Sequence, residues 1–192
     1  MNKSQAETSL KKVASEIVKL NPSDLITLYE IDVSEISTDM QLKKSTTLDL
    51  STPFRFHNMQ NLFGTDIYFQ NLKYVAFPIT TEGFELTSAG SLPTPTVSIT
   101  CAEGIDKLEG FSLLKSAFID LENLIGAKVT RIRTYAKFLD ADQGGASVEG
   151  VGTDADVNAE FPRDVFFIER KSAENKSSIQ WELASALDLE NL

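Results

Sequence analysis

The sequence predicts a mainly β protein of the α+β class. The expected form is an antiparallel β-barrel or sandwich, with one central helix and an N-terminal amphipathic helix. Three observations lead there. Short runs of alternating or aromatic-rich residues recur about nine times, which is the period of half-buried strands. The connections between most of them are too short for the crossovers that parallel strands need. Only two stretches, near residues 10–20 and 112–125, carry the helical period.

Each element follows from its residues. Leu10, Val13, Ala14 and Ile17, with Leu20 after them, fall on one helical face among Lys3, Lys11, Lys12, Glu16 and Lys19. That pattern predicts an amphipathic first helix with its stripe packed on the core, the alternative being a stripe buried by a surface or partner contact, and ended by Asn21-Pro22, since proline disfavours helix in the residue before it. Residues 25–33 predict a strand with Leu25, Thr27, Tyr29, Ile31 and Val33 on one side and Glu30 and Asp32 on the other. The polar stretch 34–52 predicts a long loop, with room for one short strand. Phe54-Arg55-Phe56-His57 alternates again, and the stretch to Thr65 contains Gly64 and reads as a turn.

Residues 66–69 and 74–77 are aromatic-rich and joined by Gln70-Asn71-Leu72-Lys73, a hairpin signature. Pro78 ends the second strand because it has no N–H for the ladder. Phe84-Glu85-Leu86 and residues 96–100 predict two more strands, separated by Gly90, Pro93 and Pro95. The helix predicted over 112–125 places Leu114, Ala117, Phe118, Leu121, Leu124 and Ile125 on one face. Ser112 is its expected N-cap and Gly126 its expected left-handed C-terminal residue. Residues 128–139 predict the longest strand, with Ile132, Thr134, Ala136 and Phe138 on one side and Arg131, Arg133, Tyr135 and Lys137 on the other. A Gly-, Asp-, Ser- and Ala-rich exposed loop follows, then strands at 165–169 and 178–183. The expected organisation is a helical extension over 1–22 and a β-rich domain over 23–192, with a long loop at 141–163.

Composition narrows the function. With 42% hydrophobic and 24% charged residues in 192, the chain has material for one core. No apolar run approaches the ~20 residues that span a bilayer, and no basic start precedes an apolar stretch at the N-terminus. Neither membrane insertion nor a secretory leader is expected. A net charge of −10 repels nucleic acid and anionic membranes, so no specific nucleic acid is expected as a partner. One cysteine, Cys101, and one histidine, His57, make no internal disulfide and no Cys/His zinc site.

The same scarcity argues against an enzyme. His57 would have to serve as base for any Ser or Cys nucleophile, and no nucleophile elbow is present. The pairs Asp140/Asp142 and Asp154/Asp156 lack the register of a calcium loop. Gly144-Gly145 lacks the lysine and the strand–helix context of a phosphate loop. No catalytic, cofactor-binding or metal-binding residue is assigned, and no cofactor is expected. The densest positive strip in this acidic chain is Arg131, Arg133 and Lys137, with same-side residues ~7 Å apart along a strand. It either pairs with carboxylates of its own fold or forms a subunit interface with the acidic surface of a neighbouring copy.

Several local patterns fall in a telling order: Tyr29-Glu30-Ile31-Asp32, Phe56-His57-Asn58, the run 67–79, Gly83-Phe84-Glu85-Leu86, Gly90-x-Leu92-Pro93-x-Pro95, the run 124–129, Tyr135-Ala136-Lys137-Phe138-Leu139-Asp140, and Trp181-Glu182-Leu183-Ala184-Ser185. Together, across roughly residues 25–190, they resemble the minor tail protein L family of lambda-like tailed phages. The resemblance implies a structural component of the distal tail tip, located in the virion and made in the host cytoplasm. It would form a ring or hub connector between the end of the tail tube and the central hub or fibre. Implied partners are neighbouring copies, with a trimer favoured over six copies, and other tail-tip proteins. Longer members of the family carry a cysteine-rich segment that binds an iron–sulfur cluster. Cys101 matches none of its ligands, so no metal residue carries over and any such cluster would belong to another chain. The alternative function is a β-barrel module recognising a host receptor or glycan, which would need an aromatic platform on loops.

Overall fold

The computed structural model describes residues 3–34, 36, 52–58, 66–85, 93–100, 124–145, 147–175 and 178–186. Among them the protein is mainly β, with nine strands and one α-helix. The predicted helix over 112–125 lies outside the described residues up to position 123, as do most of the 34–52 loop, the turn at 59–65 and Cys101. No helix among the described residues is long and apolar enough to cross a membrane.

The chain divides into two compact units. The first comprises Met1–Tyr29, His57–Ala76 and Arg131–Arg163, and the second Glu30–Phe56, Phe77–Thr130 and Asp164–Leu192. Strands β1 (Leu25–Asp32), β2 (Phe54–His57) and β7 (Lys128–Tyr135) each run from one unit into the other.

In the first unit, helix α1 (Lys3–Ile17) precedes β1, and β3 (Ile67–Phe69) pairs antiparallel with β4 (Leu72–Ala76). Gln70 and Asn71 form the connection, both at φ +58°, the conformation a two-residue type I′ hairpin demands. The turn is therefore two residues long, shorter than the sequence suggested. Phe69 opposes Leu72. Ile26, Leu28, Ile67, Phe69, Tyr74, Ile132, Ala136 and Leu139 form one buried cluster, with Leu72, Val148 and Val151 packed on it.

In the second unit, four strands lie in the order β8-β9-β6-β5: β8 (Asp164–Glu174), β9 (Ser178–Ala184), β6 (Thr96–Thr100) and β5 (Ile79–Glu82). Every pairing is antiparallel. Val97 opposes Trp181, and Ile99 opposes both Ile179 on one side and Ile79 on the other. Asn175 closes the β8–β9 hairpin: its N–H donates to the Ser178 carbonyl at 2.9 Å, and its side-chain oxygen accepts from the Ser178 N–H at 2.8 Å.

Four sequence expectations change. The strand expected at Phe84-Glu85-Leu86 is instead β5, just upstream. Gly83 at φ +76° ends it, and Phe84 turns to pack edge-on against Phe166, centroids 5.3 Å apart. The long strand stops at Tyr135, where Ala136–Phe138 form a 3-10 turn. The Ala136 N–H donates to the Asp24 carbonyl, and the Ala136 carbonyl accepts from Gly152 and Leu139, so its groups have left the ladder. In β1 the buried side switches: Ile26 and Leu28 are buried at the start, Tyr29 and Ile31 after them, while Leu25 is exposed. Helix α1 ends at Ile17, ahead of Asn21-Pro22. The Ser23 N–H donates to the Glu16 carboxylate at 3.0 Å, which draws the chain back across the helix end. Gly126 does hold the expected positive φ, +86°, and its N–H donates to the Ile168 carbonyl.

Candidate functional site

The first unit's distinctive feature is how α1 is attached. Among its described side chains, Ser9, Val13 and Glu16 are buried, spaced i, i+4, i+7 on one helical face. Leu10, Ala14, Ile17 and Val18 share a different face and are all exposed. Leu10 is 47% exposed, Ile17 56%, Val18 82%, and Leu20 beyond the helix 106%. Of the apolar stripe read from the sequence, only Val13 is inside. The helix is turned by about one residue, ~100°, so that a mostly polar face meets the body.

The polar face docks through charge. Glu16 is 2% exposed, and its Oε2 lies 2.5 Å from Lys137 Nζ and 2.7 Å from Lys19 Nζ. Those two ammonium groups, Lys137 foremost, outweigh desolvation and hold the Glu16 carboxyl down at about 2 against an ordinary 4.5. A buried carboxylate is tolerated only with such partners. One helical turn earlier, Lys12 Nζ meets Asp156 at 2.8 Å and Asp154 at 3.9 Å. The hydrogen bond from Lys12 to Asp156 raises the Lys12 pKa. Burial pushes the Asp156 carboxyl up, but Lys12 and the Asn158 N–H bring it below its ordinary value. Val13 packs with Tyr135, Phe138, Ala159 and the partly buried Phe161.

The strip of Arg131, Arg133 and Lys137 therefore has inward duties. Lys137 is committed to Glu16, and its Nζ also sits 4.5 Å from the centre of the Phe138 ring. The Arg133 guanidinium lies over Phe161 at 5.3 Å, a cation–π contact. Arg131 is half-buried on β7. Tyr135, expected beside these cations on the polar side, is buried.

The loop at 141–163 is exposed over much of its length, yet it is pinned rather than extended. Gly152, Asp154 and Asp156 donate their N–H groups to the carbonyls of Ala136, Lys137 and Phe138, and Phe161 donates to Arg133. Thr134 Oγ1 donates to the Ala159 carbonyl at 2.6 Å. Gly152 sits at φ +62°, and a Cβ there would lie 2.6 Å from the Asp140 carbonyl oxygen. At the other end, the Asp140 carboxylate accepts the Gln70 and Asn71 N–H groups at 3.0 and 2.7 Å. Buried Gln143 exchanges two hydrogen bonds with the Tyr68 backbone, at 2.8 and 2.9 Å. Sequence reasoning did not single out Glu16, Gln143 or the structural role of Asp140. The one available signal was Asp140 following a buried strand end.

Two adjoining hollows result. A groove of about 440 Å³ is lined by Leu10, Val157, Phe161 and Pro162, together with Gln70, Asn158, Glu160 and Arg163. The second, about 360 Å³, shares Val157 and is lined by Tyr68, Asn71, Asp140, Asp142, Ala141, Ala155 and Gly144. Asp140 and Asp142 point their oxygens at backbone amides, Asp142 at the Gly145 N–H. Among the described residues no group of three or more His, Cys, Asp or Glu side chains is placed to hold a metal. His57 is fully buried. An iron–sulfur cluster needs several thiolates, and the chain has one cysteine, so its residues do not fit that group.

The arrangement is a helix clamped to a β scaffold by ion pairs, with apolar surface turned outwards. The family model for phage minor tail protein L matches residues 46–192. The chain belongs to that family. It is 27% identical over 131 residues to tail tip protein L of Escherichia phage lambda, an alignment covering 68% of this chain and 47% of the relative. The chain thus spans about half the length of the curated relative it matches. As a member of the minor tail protein L family it is a structural protein of the phage tail, part of the virion. Helix α1 and β1 precede the matched residues.

Proposed function

We propose that this chain joins the end of the tail tube to the central hub or fibre, as one subunit of a ring on the tail axis. The supporting observation is family membership combined with the surface just described, which offers apolar contact area. The ring contains three copies, and its other neighbours are the distal tail ring and the hub. No catalytic step is assigned. An acidic wall suits a conduit for DNA, because like charges keep the passing polyanion from adhering. The Arg131, Arg133 and Lys137 strip serves the subunit interface from within: Lys137 and Arg133 fix α1 and the Phe161 loop, whose outer sides meet the next subunit. A cryo-EM reconstruction of the intact tail tests this reading. Three copies around the axis are expected. Density for the chain on peripheral spikes would instead make it a receptor- or glycan-binding module.

A further inference from the structure

Helix α1 is docked one residue out of step with its own apolar stripe. Ser9, Val13 and Glu16 face the body, while Leu10, Ala14 and Ile17, each one position later, face solvent. Successive residues of a helix differ by ~100° of rotation and ~1.5 Å of rise. A shift of the helix by one residue therefore puts Leu10 where Ser9 is, Ala14 where Val13 is, and Ile17 where Glu16 is.

The two registers are held by different forces. The observed one keeps Glu16 on Lys137 and Lys19, and Lys12 on Asp156. Its apolar contact is Val13 among Tyr135, Phe138, Ala159 and Phe161. It leaves Leu10 47% and Ile17 56% exposed. The shifted register gives up those ion pairs. It buries two large aliphatic side chains in place of a serine and a glutamate, and it loses two methyl groups where Ala14 replaces Val13. Salt screens ion pairs, whereas a surface-excluded salt such as sulfate strengthens apolar burial.

The surroundings leave room for the move. An open groove of about 440 Å³ lies beside Leu10. Residues 18–24, between α1 and β1, hold neither helix nor strand, so a turn of the helix need not disturb β1. The hydrogen bond from the Ser23 N–H to the Glu16 carboxylate breaks together with the ion pairs.

We infer that α1 is a two-register element, with the Glu16–Lys137 pair as the catch that holds it in the ion-docked register and a one-residue shift as the alternative. Packed elements with two discrete arrangements behave as switches. In the ion-docked register the helix shows Leu10 and Ile17 to solvent. In the shifted register it shows Lys12 and Glu16 instead. One chain thereby exposes or conceals its apolar stripe. The device lies within the first unit and does not depend on the ring reading.

The test is thiol alkylation of the full chain by N-ethylmaleimide, read peptide by peptide by mass spectrometry so that Cys101 is counted apart. Ser9→Cys and Ala14→Cys are small changes that keep Leu10, Val13 and Ile17. With Glu16 in place and at low salt, the thiol at position 14 is expected to react at least ~10-fold faster than the one at position 9, since Ser9 is 5% exposed and Ala14 is open. Adding Glu16→Gln is expected to reverse that order, because position 14 then takes the buried place of Val13 and position 9 the exposed place of Thr8. Concentrated sodium sulfate is expected to move the two rates in the same direction with Glu16 retained, which keeps the test independent of that variant's folding. An order of reactivity that stays the same under both treatments would overturn the inference, because α1 would then have one register. Fast reaction at both positions would overturn it too, because the helix would then be leaving the body and not shifting upon it.

Discussion

The two units are held together by different forces. In the second, Trp181, Leu183, Val97, Ile99 and Ile79 are all buried, and antiparallel ladders join β8, β9, β6 and β5 without interruption apart from two bulge-like register shifts in β8. Its stability comes mainly from apolar area and paired backbone, terms that salt and pH scarcely touch; ion pairs such as Arg170–Glu182 and Lys171–Glu174 lie at its surface, where such pairs contribute little. In the first, a hydrophobic cluster of the same kind lies beneath β3, β4 and β7, but α1 and the loop are fastened to it by Glu16–Lys137, Glu16–Lys19 and Lys12–Asp156. Such fastenings respond to acid and salt. The lesson is that a helix need not dock by its greasiest face. Here the apolar stripe is kept for the outside, and ions hold the inside.

The sharpest way to break the comparison is in the sheet. Trp181→Ala removes the largest fully buried side chain and should cost about 3–5 kcal/mol, seen as a fall in the global unfolding midpoint at every salt concentration. A salt-dependent loss would mean that the second unit relies on charge as well. Next comes the pinned loop. Gly152→Ala places a Cβ against the Asp140 carbonyl and Ala141 Cα, at 2.6 and 2.7 Å, in a left-handed conformation. A cost of about 2 kcal/mol is expected, with faster amide exchange at Asp154 and Asp156. Unchanged exchange there would show that the turn is not what pins the loop.

Acid should separate the units. The Glu16 carboxyl is held at about 2 in the fold against 4.5 ordinarily, and Asp156 also lies below its ordinary value. A depressed carboxylate contributes stability fully present above its unfolded pKa and lost as pH falls through the folded one. Cleavage of α1 by an acid-active protease should therefore increase as pH falls from about 4.5 towards 2, ahead of any loss of protection in the β6–β9 pairing. Simultaneous loss of both would contradict the comparison. A smaller effect is expected at Lys12→Ala, a partly exposed pair worth about 0.5–1 kcal/mol that shrinks in high salt.

How much of this was legible in the sequence follows the same division. Strands with strict alternation, such as Thr96–Thr100 and Ser178–Ala184, were plain because one face is buried and the period is two. Gly126 was plain because a left-handed residue leaves few choices. The hairpin was visible, although its turn was read as four residues. Phe84 was misread because an aromatic buried from a bend has the same letter as one buried from a strand. The α1 stripe was identified as a stripe and assigned to the wrong side. Periodicity reports that a face is apolar and is silent on whether the body of the same chain or another molecule covers it. Glu16 gave no signal, since its partner Lys137 lies far away in sequence and only the fold brings them together. The mainly β class and the family resemblance were both legible, the latter carried by ordered motifs of which all but Tyr29-Glu30-Ile31-Asp32 lie within the family match over residues 46–192.

The most direct measurement of the central claim compares two neighbouring residues of α1. Equilibrium denaturation of Glu16→Gln and Ile17→Ser at neutral pH sets the ion-held face against the apolar one. Glu16→Gln should lose about 2 kcal/mol or more, because it leaves Lys137 without its buried carboxylate. Ile17→Ser, at a side chain open to water, should change stability by less than about 0.5 kcal/mol. The reverse order, with Ile17→Ser costly and Glu16→Gln harmless, would show that α1 docks by its apolar stripe and would contradict the account.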